Sequence, residues 1–312
     1  SRALGHRQMS KLNNERGLKI MSVPTAFLNR TAGWVMAAFL AVSLTTVASA
    51  SAEDITKTFK AHAATSADVV DHGGWNGLLT KYVTTGEDGI NRVDYAAWKA
   101  TGHAALKTYL TKLQSLDPRK LNRAEQFAYW ANLYNAKTID VVLDQYPVDS
   151  IREITINEGL LGFLKKSVGA GGPWKAKIIK VAGHDLSLDD VEHTIMRPIF
   201  KDPRVHYAVN CASYGCPNLL REAFTGVKLN EQLDNNAKAY INHPRGIDVQ
   251  GSSVKASSIY QWFQADFGGT EAGVLDHVRK YASNDLKAKL KGKDSIASYN
   301  YDWSLNSTQH GS

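Results

Sequence analysis

The segment from Asn122 to Gln145, NRAEQFAYWANLYNAKTIDVVLDQ, limits the possible folds more than any other part of the chain. Asn122, followed three residues later by Glu125, fits a capping box with Asn in place of the usual Ser or Thr. A helix is therefore expected to open at Asn122 and stop before Pro147. Its middle, FAYWANLYNA, is so apolar that most of its circumference has to be covered by other elements. Glu125 and Asn132 lie seven residues apart, about 20° around a helix of 3.6 residues per turn, with Tyr129 beside them and Asn135 on the flank. Buried amides and carboxylates are costly unless paired. The stripe is thus a structural hydrogen-bond hub or one wall of a site, and both readings stay open.

Covering such a helix takes a sizeable core, and 312 residues with 43% hydrophobic content can supply one. Helices are expected over Asp54 to Ala64, over GGWNGLLTKYV, and over Tyr95 to Leu116, which ends before Asp117-Pro118. After the loop GAGGPW, KAKIIKVAGHDLSL reads as two strands around Gly183-His184. Ser187 then caps a helix through DDVEHTIMR. Val205 to Cys211 reads as a strand, Pro217 as the start of a short helix, and Leu229 to Asn242 as a longer helix. GIDVQGSSVKAS is a hairpin, SIYQWFQADF and TEAGVLDHVRKYA are helical, and SIASYNYDWSLN is a closing strand. The class is α+β, with N-terminal helices packed on a mainly antiparallel sheet drawn largely from the second half.

Both cysteines fall in DPRVHYAVNCASYGCPNLL, Asp202 to Leu220. On a regular strand His206, Ala208 and Asn210 share one face and Tyr207, Val209 and Cys211 the other, so His206 does not stand beside Cys211. Cys216 precedes Pro217 at a helix N-cap position, where unpaired N–H groups and the helix dipole favour a thiolate. On geometry Cys216 is the better nucleophile, and Cys211 is a small buried residue or a disulfide partner. A disulfide, a catalytic thiol and a metal ligand all remain open for this pair. Glu192 and His193 are adjacent, about 100° apart on a helix, which is not the spacing of a two-histidine metal site. His193 reads as an interior histidine. No cofactor and no metal site is called for.

The N-terminus follows its own logic. Arg30 is followed by an uncharged apolar run from Trp34 to about Val47 and then Ala48-Ser49-Ala50, the order of a secretory signal. The run is shorter than the roughly 20 residues of a membrane span, so cleavage near Ser51 is expected, with an uncleaved anchor as the competing reading. Residues before Met21 read as an upstream extension. Residues 1–50 are thus extension and signal, and residues 51–312 a single domain. The formal charge of +7 is mostly a leader effect, since residues 1–50 hold six of the 37 basic side chains and one of the 30 acids. The rest has no long basic block, so nucleic acid is not an expected partner.

The blocks EQFAYWANLYNAKTI, GPW, LSLDDVEHTIMR, DPRVHYAVNCASYGCPNL and IYQWFQADFG with YDWSLN resemble DUF547, the domain of unknown function 547, in order from about Leu116 to the C-terminus. The relationship proposed for that family implies a papain-like or transglutaminase-like fold and a cysteine-dependent hydrolase or acyl transferase. The Asn122 helix would then match the helix that carries the nucleophile in those enzymes, yet it has no cysteine. Plant relatives keep the first cysteine of the pair and lack the second, which points to Cys211. The expected protein is periplasmic or secreted, with a cleft lined by Glu125, Asn132, His206, Cys211 and Cys216. It would attack an amide, ester or thioester with a cysteine nucleophile and His206 as acid and base. Glu125 or Asn132 would orient the imidazole or donate to the oxyanion. The alternatives are a non-catalytic binding or assembly module for a peptide or small envelope ligand, and a zinc protein using His206 and both thiolates.

Overall fold

Four N-terminal helices make a seat for the long one. The computed structural model describes residues 51–156 and 172–309; the signal read over residues 1–50 lies outside them. α1 (Ala52–Lys60) is capped by Ser51, whose side chain accepts from the Asp54 amide, and α2 (Gly73–Tyr82) follows. The short strands β1 (Val83–Thr85) and β2 (Asn91–Val93) pair antiparallel. The single helix expected over Tyr95 to Leu116 is broken at Gly102 into α3 (Tyr95–Thr101) and α4 (His103–Gln114). The break has a local cause: the Tyr82 ring reaches across to hydrogen-bond Thr101, and a Cβ at Gly102 would stand 2.5 Å from that ring.

α5 (Arg123–Gln145) begins and ends as its sequence dictates, with the Asn122 side chain accepting from the Glu125 amide. Every residue from Glu125 to Leu143 except Lys137 is buried. α3 and α4 pack against it. Several polar side chains of α5 explain how it tolerates this enclosure, because they hold the backbone of neighbouring segments. Gln126 donates to the carbonyls of Phe59, Ala61 and Pro118, and Tyr129 to that of Leu113.

β3 (Ile179–Val181) and β4 (His184–Leu186) form the expected hairpin, with Ala182 and Gly183 both at positive φ, as a two-residue turn of this hand requires. A helical stretch then runs as a π-helix over Asp190–Met196, which also packs on α5, and continues into α6 (Arg197–Phe200). The strand expected over Val205 to Cys211 is absent, and Val205–Ala208 is instead one helical turn, α7. Asp202 and Pro203 decide this: the Asp202 side chain accepts from the Arg204 amide, its carbonyl from Val205, and the Pro203 carbonyl from His206. That local turn overrides the β-propensity of VHYAV. No helix starts at Pro217 either, because the Pro217 carbonyl is taken by the Asn210 side chain.

The last third builds a second apolar cluster. α8 (Leu229–Ile241), the hairpin of β5 (Ile247–Gln250) and β6 (Ser253–Ser257), α9 (Ile259–Trp262), α10 (Glu271–Tyr281) and α11 (Asn284–Lys289) contribute to it. β7 (Ser298–Asn300) adds parallel to β6. The fold is α+β, but among the described residues the expected sheet is divided: two hairpins and one three-stranded sheet, with strands of three to five residues. Among the described residues no helix is long and apolar enough to cross a membrane.

Candidate functional site

A cleft with about 650 Å³ of space, part of it open solvent, is bounded by the π-helix, α7, the cysteine loop and the C-terminal segment. The π-helix starts from a reciprocal cap: the Asp190 amide donates to Ser187 Oγ at 3.0 Å, and Asp190 Oδ2 accepts from the Ser187 amide at 2.6 Å. π-Geometry is rare and concentrated at functional sites. Here it turns Asp189, Glu192 and His193 toward one cavity. His193 is exposed, contrary to the interior position expected of it.

α7 supplies His206, which is 3% exposed. Its Nε2 lies 2.7 Å from Asp266 Oδ2, its ring stacks on Phe263 at 4.2 Å, and its Nδ1 stands 3.8 Å from Glu192 Oε1. Arg197 Nε donates to the same Asp266 oxygen at 2.6 Å. The imidazole first, and the guanidinium after it, hold the Asp266 carboxyl well below the usual carboxylate range. Facing an ionised carboxylate, Nε2 carries the proton, which leaves Nδ1 as the nitrogen able to exchange one.

Beyond α7, Asn135 clamps the chain: its Nδ2 donates to the Ala208 carbonyl at 2.9 Å and its Oδ1 accepts from the Asn210 amide at 2.8 Å. Asn210 accepts in turn from the Ala212 amide at 2.8 Å. Ala212 has φ 62°, a left-handed conformation costing a non-glycine residue about 1 kcal/mol. This corner, together with α7, removes the strand alternation that separated His206 from Cys211. Both cysteines and His206 line the same cavity, and the two sulfurs are joined as a disulfide. Cys216 is buried within the turn rather than at a helix N-cap, and Cys211 is the more exposed of the two. The helix N-cap expected to favour a thiolate at Cys216 is thus not formed.

The C-terminal segment closes the site. Tyr214 and Gly215 donate their amides to the carbonyls of Ser304 and Asp302 at 2.7 and 2.8 Å. Only glycine fits at 215, since a Cβ would sit 2.9 Å from the Asp302 backbone. Tyr301 is carried to 3.2 Å from Cys211 Sγ and 3.1 Å from Cys216 Sγ. Its oxygen accepts from Ser213 Oγ at 2.9 Å, so its own O–H remains to donate, and burial pushes its ionisation far up.

Residues 118–241 match the family described as Protein of unknown function, DUF547. That stretch, less than half of the chain, is similar to the DUF547 family. The matched span contains α5, the π-helix, α7 and the cysteine loop, and ends in α8. No curated protein and no solved structure matches the chain.

Of the five residues expected at the DUF547 site, His206, Cys211 and Cys216 line the cleft, whereas Glu125 and Asn132 do not. Asn132 exchanges two hydrogen bonds with Phe224, donating to its carbonyl at 2.8 Å and accepting from its amide at 3.0 Å. Glu125 Oε1 accepts from the Gly226 amide at 2.9 Å. The stripe is a hub that fastens residues 224–226 to α5. The sequence reading did not single out Asp266, which hydrogen-bonds His206, or Glu192 and Tyr301, which line the cleft. Asp266 lies 60 positions from His206 and carries no spacing signal, whereas Tyr301 and Trp303, two apart beside a strand, share a face in a way the sequence does display.

While the disulfide stands, neither sulfur is free to bind zinc. Elsewhere, His103, Asp140 and Asp144 form a cluster with metal-ligand types. Lys107 Nζ, at 2.9 and 3.0 Å from the two carboxylates, already supplies its counter-charge.

Proposed function

We propose that the cleft is the active site of an exported, cysteine-dependent hydrolase or acyl transferase with a papain-like or transglutaminase-like fold, silent until its disulfide is reduced. The supporting observation is His206, fixed by Asp266 through Nε2 with Nδ1 beyond hydrogen-bonding distance of Glu192, lining the same cavity as both sulfurs. A thiol reductant converts the disulfide to two thiols and is itself oxidised to a disulfide. Cys211, the more exposed sulfur, then gives its proton to His206 and attacks the acyl carbon of an amide, ester or thioester. An S–C bond forms, and the Tyr301 O–H donates to the oxyanion. The protonated imidazole returns the proton to the departing amine, alkoxide or thiolate. Water or an amine then releases the acyl group and restores the thiol.

The disulfide itself favours a second reading, a cleft that holds a peptide or envelope ligand without turnover, as suits an oxidising compartment. Mass spectrometry separates the two. Reduced protein given a chromogenic thioester should accumulate an acyl adduct on Cys211 with a matching burst of leaving group, and Cys211→Ser should abolish both. No adduct on either sulfur of reduced, metal-free protein would leave the binding module.

A further inference from the structure

We infer that the cleft accepts an alkylammonium group, held between the Asp189 and Glu192 carboxylates and an aromatic wall of Trp174, Trp262, Tyr301 and Trp303. The inference rests on this cleft being the working site, but not on its thiol chemistry. Among the described residues, the acidic side chains that line it are Asp189 and Glu192, and no Lys or Arg lines it. Glu192 is only 8% exposed and is hydrogen-bonded by Tyr134, but the cationic partners of the two carboxylates are distant histidines: His206 Nδ1 at 3.8 Å and His193 Nδ1 at 3.9 Å from Glu192, and His193 Nε2 at 3.9 Å from Asp189. A buried carboxylate without a close cation is costly, so the site is built to gain from a counter-charge.

The same cleft is lined by a connected run of aromatic rings. Trp303 contacts Trp174, Tyr301 and Trp262 with ring centroids 5.8, 4.8 and 5.7 Å away, and Trp262 is 47% exposed. Faces of this kind attract cations, as Arg152 over Trp303 at 5.2 Å and Arg197 over Phe263 at 4.8 Å already show within the protein. Neither arginine lines the cavity. A sugar would also stack on the aromatic wall, but it would leave Glu192 without a counter-charge, so the carboxylates select the cation. On the cleft reading, such a group belongs to the acyl donor or the acceptor and lies beside Cys211.

Titration of oxidised full-length protein, followed by tryptophan fluorescence and calorimetry, tests this with four small probes: n-butylammonium, choline, 3,3-dimethylbutanol and a neutral disaccharide. Saturable binding of either cation, at least about tenfold tighter than the isosteric alcohol, is expected, since cation–π contact and ion pairing together exceed about 1.4 kcal/mol. The relative affinity of butylammonium and choline tells a primary amine from a quaternary headgroup. Glu192→Gln should weaken the cation about tenfold, and Trp262→Ala, at a half-exposed position, provides a second variant should the first fail to fold. Equal binding of alcohol and cation, preference for the disaccharide, or affinity unchanged in both folded variants would overturn the inference. An acyl adduct without cation binding defeats this inference alone, and cation binding without an adduct defeats the acyl-transfer reading alone.

Discussion

At the residue scale, the pairing of His206 with Asp266 decides, on the acyl-transfer proposal, which imidazole nitrogen would exchange a proton with Cys211. Asp266→Asn keeps the shape of the contact but removes the charge opposite Nε2, so the imidazolium that this proposal forms when Cys211 loses its proton would lose its counter-ion. On that proposal Asp266 is a positioning residue. In reduced protein the variant should slow iodoacetamide labelling of Cys211 about tenfold near pH 6.5, the effect of one unit in the thiol pKa. At pH 9, where the thiol ionises unaided, labelling should be nearly unchanged. A purely structural defect would slow labelling equally at both values, and equal rates for variant and wild type at pH 6.5 would remove Asp266 from the mechanism. The sequence displayed His206 and the cysteines because they share one short block. It could not display Asp266, which reaches the imidazole only through the packing of the second apolar cluster.

At the element scale, α5 was legible where its determinants are local and misread where they are not. The Asn122 cap and the stop before Pro147 follow from neighbours in sequence, and the structure keeps both. The polar stripe needed tertiary knowledge: whether Asn132 meets a cavity or a backbone depends on residues 224–226, about 90 positions away. α7 went the other way, because the Asp202-Pro203 turn settled locally what β-propensity suggested. Replacing Asn132 with the near-isosteric Leu leaves the Phe224 amide and carbonyl unpaired in a buried place, at about 1–3 kcal/mol for each group. Urea unfolding should show a larger loss for Asn132→Leu than for Glu125→Ala, which orphans only the Gly226 amide. Cys211 labelling in the reduced variant should stay near the wild-type rate. Unchanged stability with impaired labelling would return Asn132 to the site.

At the scale of the whole molecule, the two apolar clusters each enclose a histidine whose protonation opposes folding. His72 lies against Tyr109 in the cluster around α5, with Asp71 and Lys112 nearby, and His277 lies against Tyr207 in the C-terminal cluster, facing Lys280, Asp202, His206 and Arg204. Burial is the main cause in both, and it depresses each imidazole to about 4. An unfolded histidine titrates near 6.5, so between about pH 6.5 and 4 the unfolded chain takes up protons that the native state refuses. Stability is therefore complete above that window and falls as the pH drops through it, by up to roughly 3 kcal/mol for each histidine. Asp266 and Asp88, depressed by their hydrogen bonds to His206 and Arg92, lose their contribution only at lower pH, below the ordinary carboxylate range. Denaturant midpoints measured from pH 7.5 to 4.5 thus report mainly the histidines. His277→Gln keeps a polar partner for Tyr207, and its midpoint should fall less steeply over that range than that of the wild type. The His72→Gln, His277→Gln double variant should be flatter still. A slope identical to that of the wild type would show that these histidines already titrate normally in the folded protein, and the acid sensitivity would then have to come from His243, which burial also depresses, or from carboxylates.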